Sequence, residues 1–321
     1  MSMKIKGTGR FLPERIATND DLAKVVDTSD EWISSRTGIR SRHISIGDTT
    51  AGMASKAATI ALEDAGMEAE ELDMIIVATL SADHATPSTA CEVQGAIGAK
   101  NAVCFDLNAA CSGFLFSMAT AHAYMEAGMA EKILVIGVET LSKLMDWNDR
   151  STCVLFGDGA GAAVVVKTEG GTKVEIAMGS DGVKGPVLTC GERKLNNCYH
   201  TAGKDLDPVA MNGQEVFRFA VKTVPKCVKE VLEKAGKTVD DIDAFLLHQA
   251  NMRIIESVSK RLKVPMDKFP TNLDHCGNTS SASIPILLDE VNKAGMLKEG
   301  DQIVLCGFGG GLTWGAIYLE W

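Results

Sequence analysis

Short unbroken apolar runs alternate with longer amphipathic stretches along this chain. MIIVATL at 74–80, KILVIG at 132–137, AFLLHQA at 244–250 and QIVLCG at 302–307 are such runs, without the period-two alternation of a half-exposed strand. They predict strands covered on both faces by helices. The order of elements reads helix, Ala-Gly stop, buried strand, loop, second helix, buried strand.

That order occurs twice. AGMEAEELD at 65–73 matches AGKTVDDID at 235–243, an offset of 170, and the runs at 132–137 and 302–307 keep it. Both halves carry Ala-Gly-Met, at 127–129 and 294–296, each closing a segment of equal length that starts at Cys111 in one half and at Asn278 in the other. The repeat predicts a mostly parallel α/β architecture in two similar halves, residues 1–170 and 171–321, with the junction near KTEGGT. Corresponding positions are then symmetric in space, which sets Cys111 and Asn278 across a shared pocket. His248 corresponds to Ala78, so a histidine closes a buried strand where the other half has alanine.

Cys111 lies among small residues in DLNAACSGF (106–114), at a predicted strand-to-helix transition. A helix N-terminus lowers a thiol's pKa and offers free N–H donors. A structural buried thiol is the equal alternative for this segment alone. For His248 in LLHQAN the alternative is a hydrogen-bonded core histidine; for Asn278 in HCGNTSSAS it is a helix N-cap.

Composition narrows the classes. With 321 residues, 45% hydrophobic and 23% charged, the chain reads as a soluble globular protein of about two domains. A net charge of −10 argues against nucleic acid as a general partner. No apolar run reaches the ~20 residues of a membrane span, and the N-terminus shows no apolar secretory segment. Nine cysteines without a CxxC pair fit a reducing compartment, so a cytoplasmic location is expected. GDGAG at 157–161 resembles a phosphate loop but lacks Lys-Ser/Thr and continues as a strand. Cys190, Cys198, His200, His275 and Cys276 fit no usual zinc spacing, so no metal is expected.

Taken in order, the motifs resemble the β-ketoacyl-[acyl-carrier-protein] synthase III family of the thiolase superfamily over essentially the whole length. They are Trp32 with RTGIR (36–40), the Cys111 segment, FGDGAG (156–161), HQAN (248–251), GNTS (277–280) and GGGLTWG (309–315). The resemblance implies a thiolase-like fold of two duplicated α/β halves in five αβαβα layers. It implies a catalytic triad of Cys111, His248 and Asn278, and an oxyanion hole from the backbone N–H groups of Cys111 and Gly310. The implied reaction is a decarboxylative condensation of an acyl-CoA starter with a malonyl-acyl carrier protein, with no cofactor beyond the substrates. Coenzyme A is expected at Trp32, Arg36 and Arg150. A homodimer is implied, with Thr86 at the acyl pocket where many short-starter relatives have Phe; the smaller residue predicts room for longer starters.

Arg253, Lys260 and Arg261 share a predicted helix face, and Arg218, Lys222, Lys226 and Lys229 form a second basic stripe. Solvated surface charge is one reading; the resemblance favours carrier docking at Arg218, Arg253, Lys260 and Arg261. Two other classes stand beside the condensing enzyme: an acyl hydrolase or carrier using Cys111 alone, and an idle binding subunit. A hydroxymethylglutaryl-CoA synthase-like enzyme would need a carboxylate base near the triad, and no motif supplies one.

Overall fold

A computed structural model describes residues 2–170, 173–203 and 207–321. Strands β1 (Ser2–Phe11), β2 (Met74–Ala78), β3 (Val103–Leu107), β4 (Lys132–Glu139) and β5 (Gly159–Thr168) form one sheet in the order β1-β5-β4-β2-β3. Strands β6 (Glu175–Ser180), β7 (Ala244–Leu247), β8 (Gln302–Gly309) and β9 (Thr313–Glu320) form the other, in the order β7-β8-β9-β6. Read from the opposite edge, the second sheet repeats the first and, among the described residues, lacks a counterpart of β3.

The principal helices are α1 (Asp30–Thr37), α2 (Thr50–Ala65), α3 (Thr89–Ile97), α4 (Gly113–Glu126), α5 (Gly213–Ala235), α6 (Met252–Leu262) and α7 (Ser283–Lys293). Helices α4 and α7 fill the space between the sheets, α2 and α3 cover the outer face of the first, and α5 and α6 that of the second. This is the five-layered αβαβα arrangement of thiolase-like proteins. It also explains the runs without visible alternation. Ile133 and Val135 enter the central core while Leu134 and Ile136 enter the outer one; Ile303 and Leu305 alternate with Val304 and Cys306 in the same way. Period two is present, but both faces demand apolar residues.

The sheets are mixed rather than mostly parallel. β2 pairs in parallel with β3 and β4, and β7 with β8. β5 runs antiparallel to β1 and β4, and β9 antiparallel to β8 and β6. The reason is visible at Gly310–Leu312, the only link between β8 and β9: it is far too short for the crossover a parallel pair needs.

The offset of 170 survives at the centre of the molecule and corrects one correspondence. Turns Ala110–Ser112 and Ser280–Ala282 open α4 and α7, and their first residues have φ of +48° and +49°. Helix α7 has 11 residues against 14 in α4, so the deletion lies at the helix end. Cys111 therefore corresponds to Ser281, and Asn278 to Asn108. Among the described residues, no helix is long and apolar enough to cross a membrane.

Candidate active site

Cys111 sits buried in the turn between β3 and α4. The β8 end presses on it: a Cβ built on Gly309 would lie 2.6 Å from the Cys111 backbone nitrogen, so this position requires glycine. His248 follows β7, its backbone N–H bonded to the Cys306 carbonyl at 2.8 Å and its ring edge-on to Phe308 at 5.4 Å. Its Nδ1 lies 2.6 Å from Ser283 Oγ. Asn278 is pinned by its backbone, donating to Leu155 O at 2.9 Å and accepting from Gly157 N at 3.0 Å. Its Oδ1 accepts from Ser280 N–H at 2.9 Å, which leaves the amide NH2 as the free end. The GDGAG loop thus serves to hold Asn278.

Both titratable groups are neutral at rest. Burial, reinforced by the charge of Glu139, pushes the Cys111 thiol up to about 12 against the pull of Ser280. Burial drives His248 down to about 3. The helix-terminus lowering expected for Cys111 is outweighed by removal from water.

An inner cavity of about 220 Å³ brings the three together: Cys111, His248 and Asn278 line it with Asn251, Phe217 and Phe308. On one side its walls continue through Met211, Gly213 and Phe217 into a surface cleft of about 1180 Å³ bearing Trp32, Arg36, Arg218 and Arg253. On the other, Cys111, Phe156 and Leu188 also line a cavity of about 1020 Å³. That cavity is walled by Leu80, Leu141, Leu144 and Val209, with Gly310 beside Cys111. A buried thiol that lines one small cavity with two neutral hydrogen-bond donors suits exchange of an acyl group and stabilisation of a developing oxyanion.

Known proteins share this fold. The descriptions 3-oxoacyl-[acyl-carrier-protein (ACP)] synthase III and its C-terminal counterpart match residues 105–182 and 232–321. The β-ketoacyl-[acyl-carrier-protein] synthase III of Clostridium acetobutylicum is 52% identical over 321 residues, 100% of this chain and 99% of that protein. The chain belongs to the β-ketoacyl-[acyl-carrier-protein] synthase III family. The solved 3-oxoacyl-[acyl-carrier-protein] synthase III of Aquifex aeolicus VF5 is 45% identical, with a TM-score of 0.93 and 100% of both chains covered. The priming β-ketosynthase from the R1128 polyketide biosynthetic pathway is 35% identical, with a TM-score of 0.93 over 99% of this chain and 96% of that one.

In this synthase III chain the other expected residues fall less evenly. The Arg36 and Arg150 guanidinium carbons lie 4.7 and 5.3 Å from the centre of the Trp32 ring, but Arg150, bonded to Asp27 O at 2.9 Å, is outside the cleft lining. Arg253 donates to Ser35 O at 2.8 Å and shares the cleft with Arg218, tying α6 to α1. Lys260 and Arg261 are exposed in the last turn of α6, roughly 10 Å along the helix from Arg253, and line no part of the cleft. Thr86 does not line the large cavity within this one chain. The large cavity's wall stops at Ala85, and the segment runs exposed through Thr86 and Pro87.

Two residues escaped sequence reasoning. Glu139, fully buried at the end of β4, accepts from Ser81 Oγ at 2.5 Å, Ser281 Oγ at 2.8 Å and Leu80 N–H at 3.2 Å. It is the carboxylate near Cys111 that the motifs did not reveal, and its signal was a lone acid closing an apolar strand run. It lines neither cavity beside Cys111, and its donors hold it away from the role of a base. Ser283 is the second. Of the cysteine–histidine set, His275 and Cys276 instead meet Glu290, with donor atoms within 4.8 Å. Both ring nitrogens of His275 are engaged there, Nδ1 by Asp274 and Nε2 by Glu290, as a charged pair network.

Proposed function

We propose that this enzyme joins a short acyl-CoA starter to malonyl-acyl carrier protein, giving 3-oxoacyl-acyl carrier protein and initiating fatty acid biosynthesis. The observation that carries the reading is one small cavity lined by a buried thiol and two neutral donors. In the first step the Cys111 sulfur attacks the starter thioester. The carbonyl–sulfur bond to CoA breaks, and the thiol proton leaves with the CoA sulfur. Thioester exchange is near energy-neutral and keeps the acyl group reactive.

In the second step the malonyl thioester loses CO2, and the electron pair of the broken C–C bond moves onto the thioester oxygen as an enolate. His248 and the Asn278 amide donate to that oxygen, each such donor stabilising by about 3 kcal/mol. The enolate carbon attacks the acyl-Cys111 carbonyl. The tetrahedral oxyanion rests on the backbone N–H groups of Cys111 and Gly310 and collapses by expelling the Cys111 sulfur, which takes up one proton from solvent. The steps require no metal and no cofactor beyond the two substrates.

The halves 1–170 and 171–321 divide the work: the first supplies the nucleophile and the second both enolate donors. The cleft takes CoA, with adenine against Trp32 and the arginines Arg36 and Arg150, a contact worth roughly 0.5–2 kcal/mol. The acidic carrier approaches over Arg218, Arg253, Lys260 and Arg261. The 1020 Å³ cavity, apolar at Leu80, Leu141, Leu144 and Val209 and polar at Asp83, Lys143 and Arg193, receives the acyl chain and has volume for starters longer than acetyl. The enzyme works in the cytoplasm as a homodimer. Incubation with acyl-CoA and malonyl carrier should release CO2 and 3-oxoacyl carrier, with the acyl group on Cys111 by intact mass spectrometry. Acylation without CO2 would instead establish a hydrolase or carrier, and acylation of another cysteine would refute the site.

A further inference from the structure

We propose that Ser283 is a positioning residue that fixes the proton of His248 on Nε2. The inference rests on the condensing reading above, which needs His248 as a donor rather than a base. Ser283 Oγ is 2.6 Å from His248 Nδ1 and 3.4 Å from the backbone N–H of Gln249, and Ser283, His248 and Gln249 are all buried. A serine hydroxyl has one hydrogen to give and two lone pairs to receive with. The Gln249 N–H can only donate, so it occupies one lone pair. If Nδ1 carried the proton it would occupy the other, and the hydroxyl hydrogen would need a further acceptor. Among the described residues no other acceptor lies within hydrogen-bond distance of that oxygen. The arrangement that satisfies every group has Ser283 O–H donating to Nδ1. A neutral imidazole then holds its single proton on Nε2, at the ring edge that Ser283 leaves free.

The duplication supplies an independent observation. The residues that correspond to His248 and Ser283 are Ala78 and Gly113, and neither carries a polar side chain of its own. The hydroxyl at that junction comes from the preceding turn, where Ser281 Oγ donates to the Ala78 carbonyl at 3.0 Å, so the fold does not need one on the first residue of the helix. The imidazole and the hydroxyl are present together only in the half that faces the inner cavity, as a pair whose members satisfy each other.

The test uses the full chain labelled with nitrogen-15 histidine. His248 is assigned among the six histidines by its loss in His248→Gln, and long-range proton–nitrogen correlation identifies the protonated nitrogen. Wild type should show a protonated Nε2 and a bare Nδ1. Ser283→Ala should lose that preference and slow malonyl decarboxylation about a hundredfold in kcat, with the KM for malonyl carrier and the rate of Cys111 acylation within about twofold. Ser283→Thr, which restores the hydroxyl, should recover the wild-type tautomer and most of the rate. A wild-type proton on Nδ1, or an unchanged tautomer and rate in Ser283→Ala, would overturn the proposal. If Ser283→Ala fails to fold by circular dichroism, the wild-type spectrum decides by the same criterion. A protonated Nε2 in a protein that releases no CO2 from malonyl carrier would sink the functional reading and leave the Ser283 assignment standing.

Discussion

Ala110 and Ser280 occupy equivalent points of the two halves with nearly the same left-handed backbone, and in each half the next residue meets a strand end from the opposite sheet. Ser281 meets Glu139 at the end of β4, with a hydrogen bond of 2.8 Å. Cys111 meets Gly309 at the end of β8, where not even a methyl group fits. Glu139 and Gly309 are themselves equivalent. One meeting is a closed polar contact, in which burial raises the Glu139 carboxyl above its ordinary range while Ser81 and Ser281 pull it back. The other replaces acid with hydrogen and hydroxyl with thiol, and leaves the sulfur on a cavity wall. A single backbone design therefore serves as a staple in one half and as the seat of the proposed nucleophile in the other, and the difference lies in two side chains.

The largest expected effect comes from the seat. Cys111→Ser should lower turnover by about a thousandfold or more, because a hydroxyl has far less anion than a thiol; intact mass after acyl-CoA exposure should show no acyl adduct. The strand ends separate the two roles. A Cβ at Gly137 would come within 2.3 Å of Ser281 O, and one at Gly309 within 2.6 Å of Cys111 N. Gly137→Ala and Gly309→Ala should each destabilise by about 1–3 kcal/mol in denaturant titrations. Only Gly309→Ala should also slow acylation, by roughly tenfold to a hundredfold. Equal losses of activity would mean that the two turns are mechanically one unit.

His248 and Ala78 extend the comparison to pH. The folded chain holds His248 at about 3 against an ordinary 6.5, so the unfolded chain takes up a proton that the folded one refuses. The contribution is complete above pH 6.5 and is lost as pH falls toward about 3, at about 1.4 kcal/mol per pH unit. His248→Asn, which cannot titrate, should flatten that part of the stability profile relative to wild type. The smallest effects lie farthest from the seam. Arg253 lines the cleft while Lys260 does not. Arg253→Glu should raise the KM for malonyl carrier about fivefold, with a smaller rise for acyl-CoA, and Lys260→Glu should raise only the former, about twofold, both fading with added salt.

The layers, the duplication and the central residues were legible because they depend on periodicity and on departures from it. His248 stood out against Ala78 at a fixed offset, and the twin Ala-Gly-Met stops marked the helix ends. The direction of β5 and β9 was not legible, since a buried strand looks alike whichever way it runs. Pairing Cys111 with Asn278 erred because three residues are missing from the end of α7, a place where composition hardly changes. The resting state of the thiol was misjudged for a different reason: a helix terminus can be read locally, but burial depends on the whole surrounding wall. Glu139 and Ser283 stayed hidden because each acts through a partner more than thirty residues away.

The relation between the two sheets also has a consequence for how such a gene can vary. Thiol and donors come from opposite halves and meet only at the boundary between them, so neither half is a smaller version of the enzyme. A shuffled chain that takes its first part from one relative and its second from this protein would draw the proposed nucleophile and the two proposed donors from different parents. What it must match is the fit of one parent's strand ends against the other parent's turns. Compatibility between lineages is thus decided at Glu139 with Ser281 and at Gly309 with Cys111, and catalytic identity alone does not secure it.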